Sequence, residues 1–270
     1  MVSAAAPGWT TSVEPAITIT GVGKRFSHRS RSVQALHQFD LTVAPRQFVT
    51  LIGPSGCGKS TLLRIVGGLL DADEGMVAVA GSTPAAGRRE KLFGFVPQSP
   101  ALLPWRSVRD NVRLLPQLNR RRGRAPLDDD EIDRLLETVG LAPFADALPE
   151  HLSGGMQQRV SLVRAFALHP PILLMDEPFA ALDEIIRSQM RFQLLELWQS
   201  ARATVLFVTH SISEAVVLSD RVVVMGPRPG RVLAIEEIEL ERPRQADVED
   251  DPRFHAHCSN IRHALLSGFG

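Results

Sequence analysis

Apolar positions recur along this chain with two different periods. Ile17-Thr18-Ile19-Thr20 and Phe39-Asp40-Leu41-Thr42-Val43 alternate apolar with polar, which predicts half-buried strands, the second ending at the turn signal Ala44-Pro45-Arg46. Phe48-Val49-Thr50-Leu51-Ile52 is apolar or β-branched throughout and reads as a strand covered on both faces, running into Gly53. Residues 60–69 then carry Leu62, Leu63, Ile65, Val66 and Leu69 at helical spacing. From about 107 to 168 the patterns are helical and predict no strand. Apolar runs return at Ile172–Met175, Val205–Val208 and Arg221–Met225, separated by helical stretches at about 184–200 and 211–218. Strand–helix–strand alternation implies right-handed crossovers and a mainly parallel sheet, so the outline is an α/β core with a helical insertion. Residues 1–15 are small, polar and punctuated by Pro and Gly, and read as a loose tail. Arg120–Pro126 reads as an exposed basic connection, and Asp128–Glu131 suits a helix's first turn, where the dipole favours anions.

Composition narrows the class. Of 270 residues, 44% are hydrophobic and 22% charged, as in an ordinary globular protein. Thirty Lys+Arg balance 30 Asp+Glu, a net charge of zero that argues against a general polyanion binder. Two cysteines, Cys57 and Cys258, make no disulfide scaffold and fit a reducing compartment. The N-terminus lacks the basic and apolar regions of a secretion signal. No apolar run approaches the roughly 18 residues that span a bilayer.

The chemistry is concentrated in three segments. Gly53-Pro54-Ser55-Gly56-Cys57-Gly58-Lys59-Ser60-Thr61 fits the phosphate-loop pattern and lies between a predicted strand and a predicted helix. Its glycines let successive N–H groups face phosphate oxygens, and the helix N-terminus adds a positive dipole end. Lys59 would reach the β- and γ-phosphates of ATP and Ser60 would coordinate Mg²⁺. The strand Ile172–Met175 ends in Asp176-Glu177, which would place Asp176 at the ion and Glu177 as general base on the attacking water. Leu152-Ser153-Gly154-Gly155-Met156-Gln157-Gln158-Arg159 opens a helix with a Ser-Gly-Gly turn, a second anion cradle.

Together these segments resemble the ATP-binding cassette (ABC) ATPases, over roughly residues 16–240. The resemblance implies an α/β P-loop NTPase core with a mainly parallel sheet, an N-terminal antiparallel β region and a helical insertion subdomain. It divides the chain into a tail at 1–15, an ATPase domain at 16–245 with the insertion at about 99–168, and a helical tail at 246–270. It assigns Gln98 to a loop that contacts Mg²⁺ and senses the γ-phosphate, Asp183 to communication across a dimer, and His210 to a switch on the γ-phosphate. Phe26 falls where the family places an aromatic against adenine, often Tyr; this chain has no Tyr, and Phe keeps the π-face, a core role being the alternative. In the family two copies pair head to tail, so Ser153, Gly154, Gly155 and Gln157 would complete the partner's ATP site. Lys59 and Ser153 are 153 − 59 = 94 residues apart. That gap leaves no room for the long coiled coil of chromosome-type relatives, and nucleic acid is not an expected partner; the alternative is a soluble cassette ATPase acting on nucleic acid or ribosomes.

A lone cassette without a span suggests an importer subunit, peripheral on the cytoplasmic membrane face, with separate permease subunits and, indirectly, a solute-binding protein. Leu102-Leu103-Pro104-Trp105-Arg106 and the ending Arg228–Arg231 through Leu240–Arg244 resemble the nitrate, sulfonate and taurine importers. Leu102, Leu103 and Trp105 would anchor a permease helix or pack internally. In the tail, His255, His257 and Cys258 lack a tetrahedral ligand pattern. A helix with Phe254, Ile261, Leu265 and Leu266 facing the core is the expected form.

Overall fold

The computed structural model describes residues 14–28, 31–118 and 128–268. The basic connection Arg120–Pro126 and almost all of the N-terminal tail lie outside them. Two sheets organise the chain. Strands β1 (Ile17–His28) and β2 (Arg31–Val43) pair antiparallel, with Ile17 opposite Val43 and Ile19 opposite Leu41. On the other edge of β1 lies β4 (Glu74–Val79), which completes a three-stranded antiparallel sheet in the order β2-β1-β4. The second sheet has the order β5-β6-β7-β3-β8-β9. Its strands are β3 (Phe48–Ile52), β5 (Phe93–Val96), β6 (Ile172–Asp176), β7 (Thr204–Thr209), β8 (Arg221–Met225) and β9 (Val232–Glu237). All pairings are parallel except β8 with β9.

Side-chain alternation along β3 decides where the cores form. Val49 and Leu51 join a core with β1, β2, β4 and helix α1 (Lys59–Val66). Phe48 and Ile52 face the opposite core. Phe48 meets Trp198 edge-on at 5.5 Å and Phe207 at 5.8 Å there, arrangements that suit the ring quadrupoles. That second core also receives α3 (Val108–Leu118), α4 (Asp129–Thr138), α5 (Gly154–Phe166), α6 (Glu184–Ala201), α7 (Ile212–Leu218) and α8 (Pro252–Ser267). Helices α3 to α5 fill the interval between β5 and β6, with no strand among the described residues of that interval. A short helix, α2 (Pro84–Arg89), follows β4. Asp128 caps α4 by accepting from the Glu131 amide at 2.7 Å, so the acidic run begins a helix as its charge pattern predicts.

The segment after β9 straps α7 to the body. Arg244 is buried, and its Nη1 donates to the Val216, Val217 and Ser219 carbonyls, the end of α7 that lacks intrahelical partners. Burial pulls its pKa down to about 10. Beyond the strap, α8 buries Phe254 and Ile261 and half-buries Leu265. Leu266 does not face the core as the apolar pattern predicts: it is 63% exposed. Phe254, Ile261 and Leu265 follow the seven- and four-residue steps of one face, and Leu266 lies about 100° past it. His257 Nδ1 sits 2.7 Å from Glu236 Oε1, and Cys258 packs against the core.

Candidate nucleotide site

Every strand end that carries chemistry lies on the same edge of the parallel sheet, the C-terminal edge where α/β sheets bind ligands. The phosphate loop leaves β3, Asp176-Glu177 ends β6, Gln98 follows β5 and His210 follows β7. A cleft of about 530 Å³ opens there, lined by Phe26, Ser55, Gly56, Gly58, Lys59, Ser60, Thr61, Gln98 and Glu177 among others.

The loop wraps tightly because glycine permits it. Gly58 caps α1 with φ 107°, and a Cβ there would lie 2.8 Å from the Ala35 carbonyl oxygen. Gly53, Pro54 and Cys57 form the body of the loop. Lys59 is buried, its Nζ donating to the Gly53 carbonyl at 2.7 Å and to Pro54 at 3.1 Å, so its ammonium is held inside the curve. Cys57 is buried beneath; burial pushes its thiol up, against the opposing charges of Lys59 and Arg228. A raised pKa makes it a filler rather than a thiolate nucleophile.

Ser60 Oγ donates to Asp176 Oδ1 at 2.6 Å, joining the phosphate loop to the acidic strand end. Glu177 has φ 46°, a left-handed conformation uncommon for a side-chain-bearing residue. Its amide is fixed by the Val208 carbonyl at 3.0 Å, so the strained turn is held from β7. His210 Nδ1 stands 3.4 Å from Glu177 Oε2. The turn that carries His210 is tied from within: Thr209 Oγ1 donates to the buried Glu214, and the Ser211 amide donates back to Thr209 Oγ1 at 3.0 Å. Desolvation pushes the Glu214 carboxyl above the usual range, partly opposed by Thr209 and Arg187.

Phe26 is 44% exposed and lines the cleft instead of joining the core, with Lys24 Nζ 5.7 Å from its ring centre. Ser153, Gly154, Gly155, Gln157 and Asp183 do not line this cleft. Ser153 caps α5, accepting from the Met156 amide at 3.3 Å, and remains exposed with Gly154. Gln157 turns inward and donates to the Pro149 carbonyl at 2.9 Å. Asp183 caps α6 through the Ile186 amide at 3.0 Å. The neighbouring Leu182 packs close to Gly155, where a Cβ would lie 3.1 Å from its Cδ2.

Several residues support the site through contacts that their sequence patterns do not specify. Gln158 donates to the Pro97 carbonyl at 3.3 Å, and Arg164 donates to Pro100 at 2.8 Å and Ala101 at 2.9 Å, so α5 grips the loop that bears Gln98. Asn111 is fully buried; its Oδ1 accepts from the Leu103 amide at 2.8 Å, and its Nδ2 donates to the Leu103, Arg106 and Ser107 carbonyls. That pin sets the turn from which Trp105 projects, 72% exposed, while Leu102 packs against the core. Arg228 enters the cleft wall through a bond to the Gly56 carbonyl. Only tertiary contact reveals these roles: Gln158 and Arg228 lie in segments that carry the family resemblance, but neither pattern says what the side chain holds.

A glycine loop at a helix start, joined by its serine to a strand-end aspartate and faced by a glutamate and a histidine, defines a P-loop ATPase. Residues 36–180 match the ABC transporter family. The chain is 39% identical over 233 residues to an aliphatic sulfonates import ATP-binding protein of Bacillus cereus, covering 86% of this chain and 90% of that one. It is also 39% identical over 235 residues to a nitrate import ATP-binding protein of Synechococcus elongatus, covering 86% and 85%. The dimeric post-hydrolysis structure of an ATP-binding cassette bound to ADP and Pi superposes with a TM-score of 0.72 at 31% identity, covering 83% of this chain and all of that one. This chain belongs to the ABC transporter ATPase family: an ATP hydrolase, with ATP as substrate and Mg²⁺ as its usual partner. Among the described residues no helix is long and apolar enough to cross a membrane.

Proposed function

We propose that this chain is the ATP-hydrolysing subunit of an importer for a small solute such as nitrate, a sulfonate or taurine. It acts as a pair on the cytoplasmic membrane face with separate permease subunits, which a solute-binding protein supplies. The observation that carries the reading is the division of its anion cradles. Lys59, Ser60, Gln98 and Glu177 line one cleft, whereas the Ser153-Gly154-Gly155 turn stands exposed away from it. A second copy would close the cleft with that turn, and Gln157 and Asp183 would serve the same junction. The proposed division of the chain, with an ATPase body at 16–245, an insertion at about 99–168 and a tail at 246–270, accompanies this reading.

Within the cleft, Phe26 stacks on adenine and the amides of residues 53–61 receive the phosphates, with Lys59 swinging from its loop carbonyls to the β- and γ-oxygens. The hard oxygens of Ser60, Asp176 and Gln98 suit Mg²⁺, which when bound neutralises phosphate charge. Glu177 takes a proton from the attacking water at its carboxylate, and its fixed backbone keeps that carboxylate aimed. His210 holds the γ-phosphate and, standing beside Glu177, stabilises its charge. ATP shared between two copies favours the closed pair, and hydrolysis removes that preference. Trp105, held outward by the Asn111 pin, offers an apolar anchor to a permease helix. The import functions of the sulfonate and nitrate relatives support this direction of transport.

The test is affinity capture from native membranes with Glu177→Gln and ATP, followed by mass spectrometry. A multi-span permease, with a solute-binding protein whose ligand can then be screened, is the expected result. Ribosomal proteins or nucleic acid without a permease would overturn the importer reading.

A further inference from the structure

Arg228 stands on the outer wall of the phosphate loop. Its Nε donates to the Gly56 carbonyl at 3.1 Å, and its guanidinium lines the cleft with Phe26, Lys59 and Gln98. The bare α-carbon of Gly56 makes room for it, since a Cβ there would lie 2.9 Å from Arg228 Nη2. Arg228 is exposed, and among the described residues its guanidinium makes one hydrogen bond, through Nε, and no ion pair with a carboxylate. Guanidinium groups in proteins stay charged and usually find a carboxylate or phosphate.

The loop that carries Arg228 is built into the phosphate loop's support. The Gly230 amide donates to the Ala35 carbonyl at 2.8 Å, and the His37 amide donates to the Gly230 carbonyl at 3.1 Å. Gly230 lies so close that a Cβ would come within 2.0 Å of the Cys57 carbonyl oxygen. The Gly226 amide closes the base of the loop on the Arg231 carbonyl at 2.9 Å. Arg228 is thus an exposed cation, tethered through its Nε on a braced loop, at the mouth of a site for a polyanion. Among the described residues that line the cleft, Lys59 is the other cation, and Glu177 there and Asp176 behind Ser60 oppose its charge.

We infer that Arg228 is a nucleotide-binding residue whose terminal N–H groups take phosphate oxygens of ATP from the outer side of the loop, opposite Lys59. The inference rests on the nucleotide-site reading of the cleft. Its ligand chemistry is a polyphosphate, and its contribution is electrostatic and therefore salt-dependent.

The experiment measures ATP binding by the full chain carrying Glu177→Gln, which keeps the nucleotide intact, at low and high salt. Arg228→Gln and Arg228→Lys are compared in that background, with melting of the nucleotide-free proteins as the fold control. Arg228→Gln is expected to weaken ATP binding about tenfold at low salt, the size of one charge-assisted contact, and less at high salt. Arg228→Lys is expected to recover most of the loss, with the nucleotide-free melting temperature unchanged in both. Unchanged affinity in Arg228→Gln overturns the inference. So does a loss of equal size at both salt concentrations that Lys fails to recover, which marks loop packing instead. Lys59→Ala in the same assay separates the two readings: if it too binds ATP like its parent, the nucleotide-site reading fails, not Arg228 alone.

Discussion

The two anion cradles of this chain are built from similar pieces and finished differently. Around the phosphate loop the chemistry-bearing side chains are braced from within: Lys59 on Gly53 and Pro54, Ser60 on Asp176, with the Glu177 amide on Val208. At the Ser153-Gly154-Gly155 turn the serine caps its own helix, and Gly154 faces open space with nothing within 4 Å of a Cβ. Both are helix N-termini with glycines. The first lies within a cleft that the chain braces with its own side chains, and the second lies on the exposed surface. On the proposed reading, internal bracing separates what one copy would do alone from what would need a second.

The sharpest break of that contrast is Glu177→Gln. Hydrolysis should fall by at least about 100-fold, measured as phosphate release, while ATP still binds. Parent-level turnover would remove Glu177 as the base. Gly154→Asp tests the other cradle. Open space there lets the protein fold, and the new carboxylate repels phosphate, so ATP binding by one copy should survive while hydrolysis is lost. Mixing it with Lys59→Ala should restore turnover, because one site of the mixed pair then has a sound phosphate loop and a sound signature turn. Failure to restore it would argue against sharing between copies.

Gly230→Ala probes the brace itself. Its Cβ would overlap the Cys57 carbonyl. The overlap should cost about 1–3 kcal/mol, read as a melting temperature lower by several degrees together with weaker ATP binding. Trp105→Ala lies outside the bracing and should leave basal hydrolysis and melting near parent values while reducing transport in membranes; undiminished transport would remove the docking role. The smallest effect concerns Glu214. Its pKa is raised in the folded chain, so its contribution favours folding below the usual 4.5 and fades as pH rises through the folded value. Glu214→Gln should therefore gain melting temperature relative to the parent at pH 8 compared with pH 5. A difference independent of pH would mean that the carboxyl is not desolvated.

Elements buried on both faces were legible in the sequence. Strands β3, β6, β7 and β8 are continuous apolar runs because helices or the second sheet cover them on each side. The elements that escaped are partly solvated or short. Strand β4 begins Glu74-Gly75-Met76 with all three exposed, β9 is an edge with exposed Ile235, and α2 has only six residues, a glycine among them. The alternation in β1 and β2 extends well past the segments it predicts because register shifts in their pairing blur the period beyond Ile19. At the site, the glycine loop, the acidic strand end and the Ser-Gly-Gly turn were visible, since backbone geometry demands those residue types at fixed spacing. The contacts of Asn111, Gln158, Arg164 and Arg228 were not, because what each residue holds lies on another element and its value is set by the fold.

Helix α5 begins at the signature turn and, farther along, grips the Gln98 loop at Pro97, Pro100 and Ala101. Loop and helix cannot move apart without breaking those bonds, so the pair behaves as a crank with one shaft. Rotation imposed at the glutamine end would arrive at Ser153 as displacement, and a push on Ser153 would return to Gln98. On the proposed pairing, such a linkage would write the occupancy of one copy's pocket into the angle at which it presents itself to its neighbour.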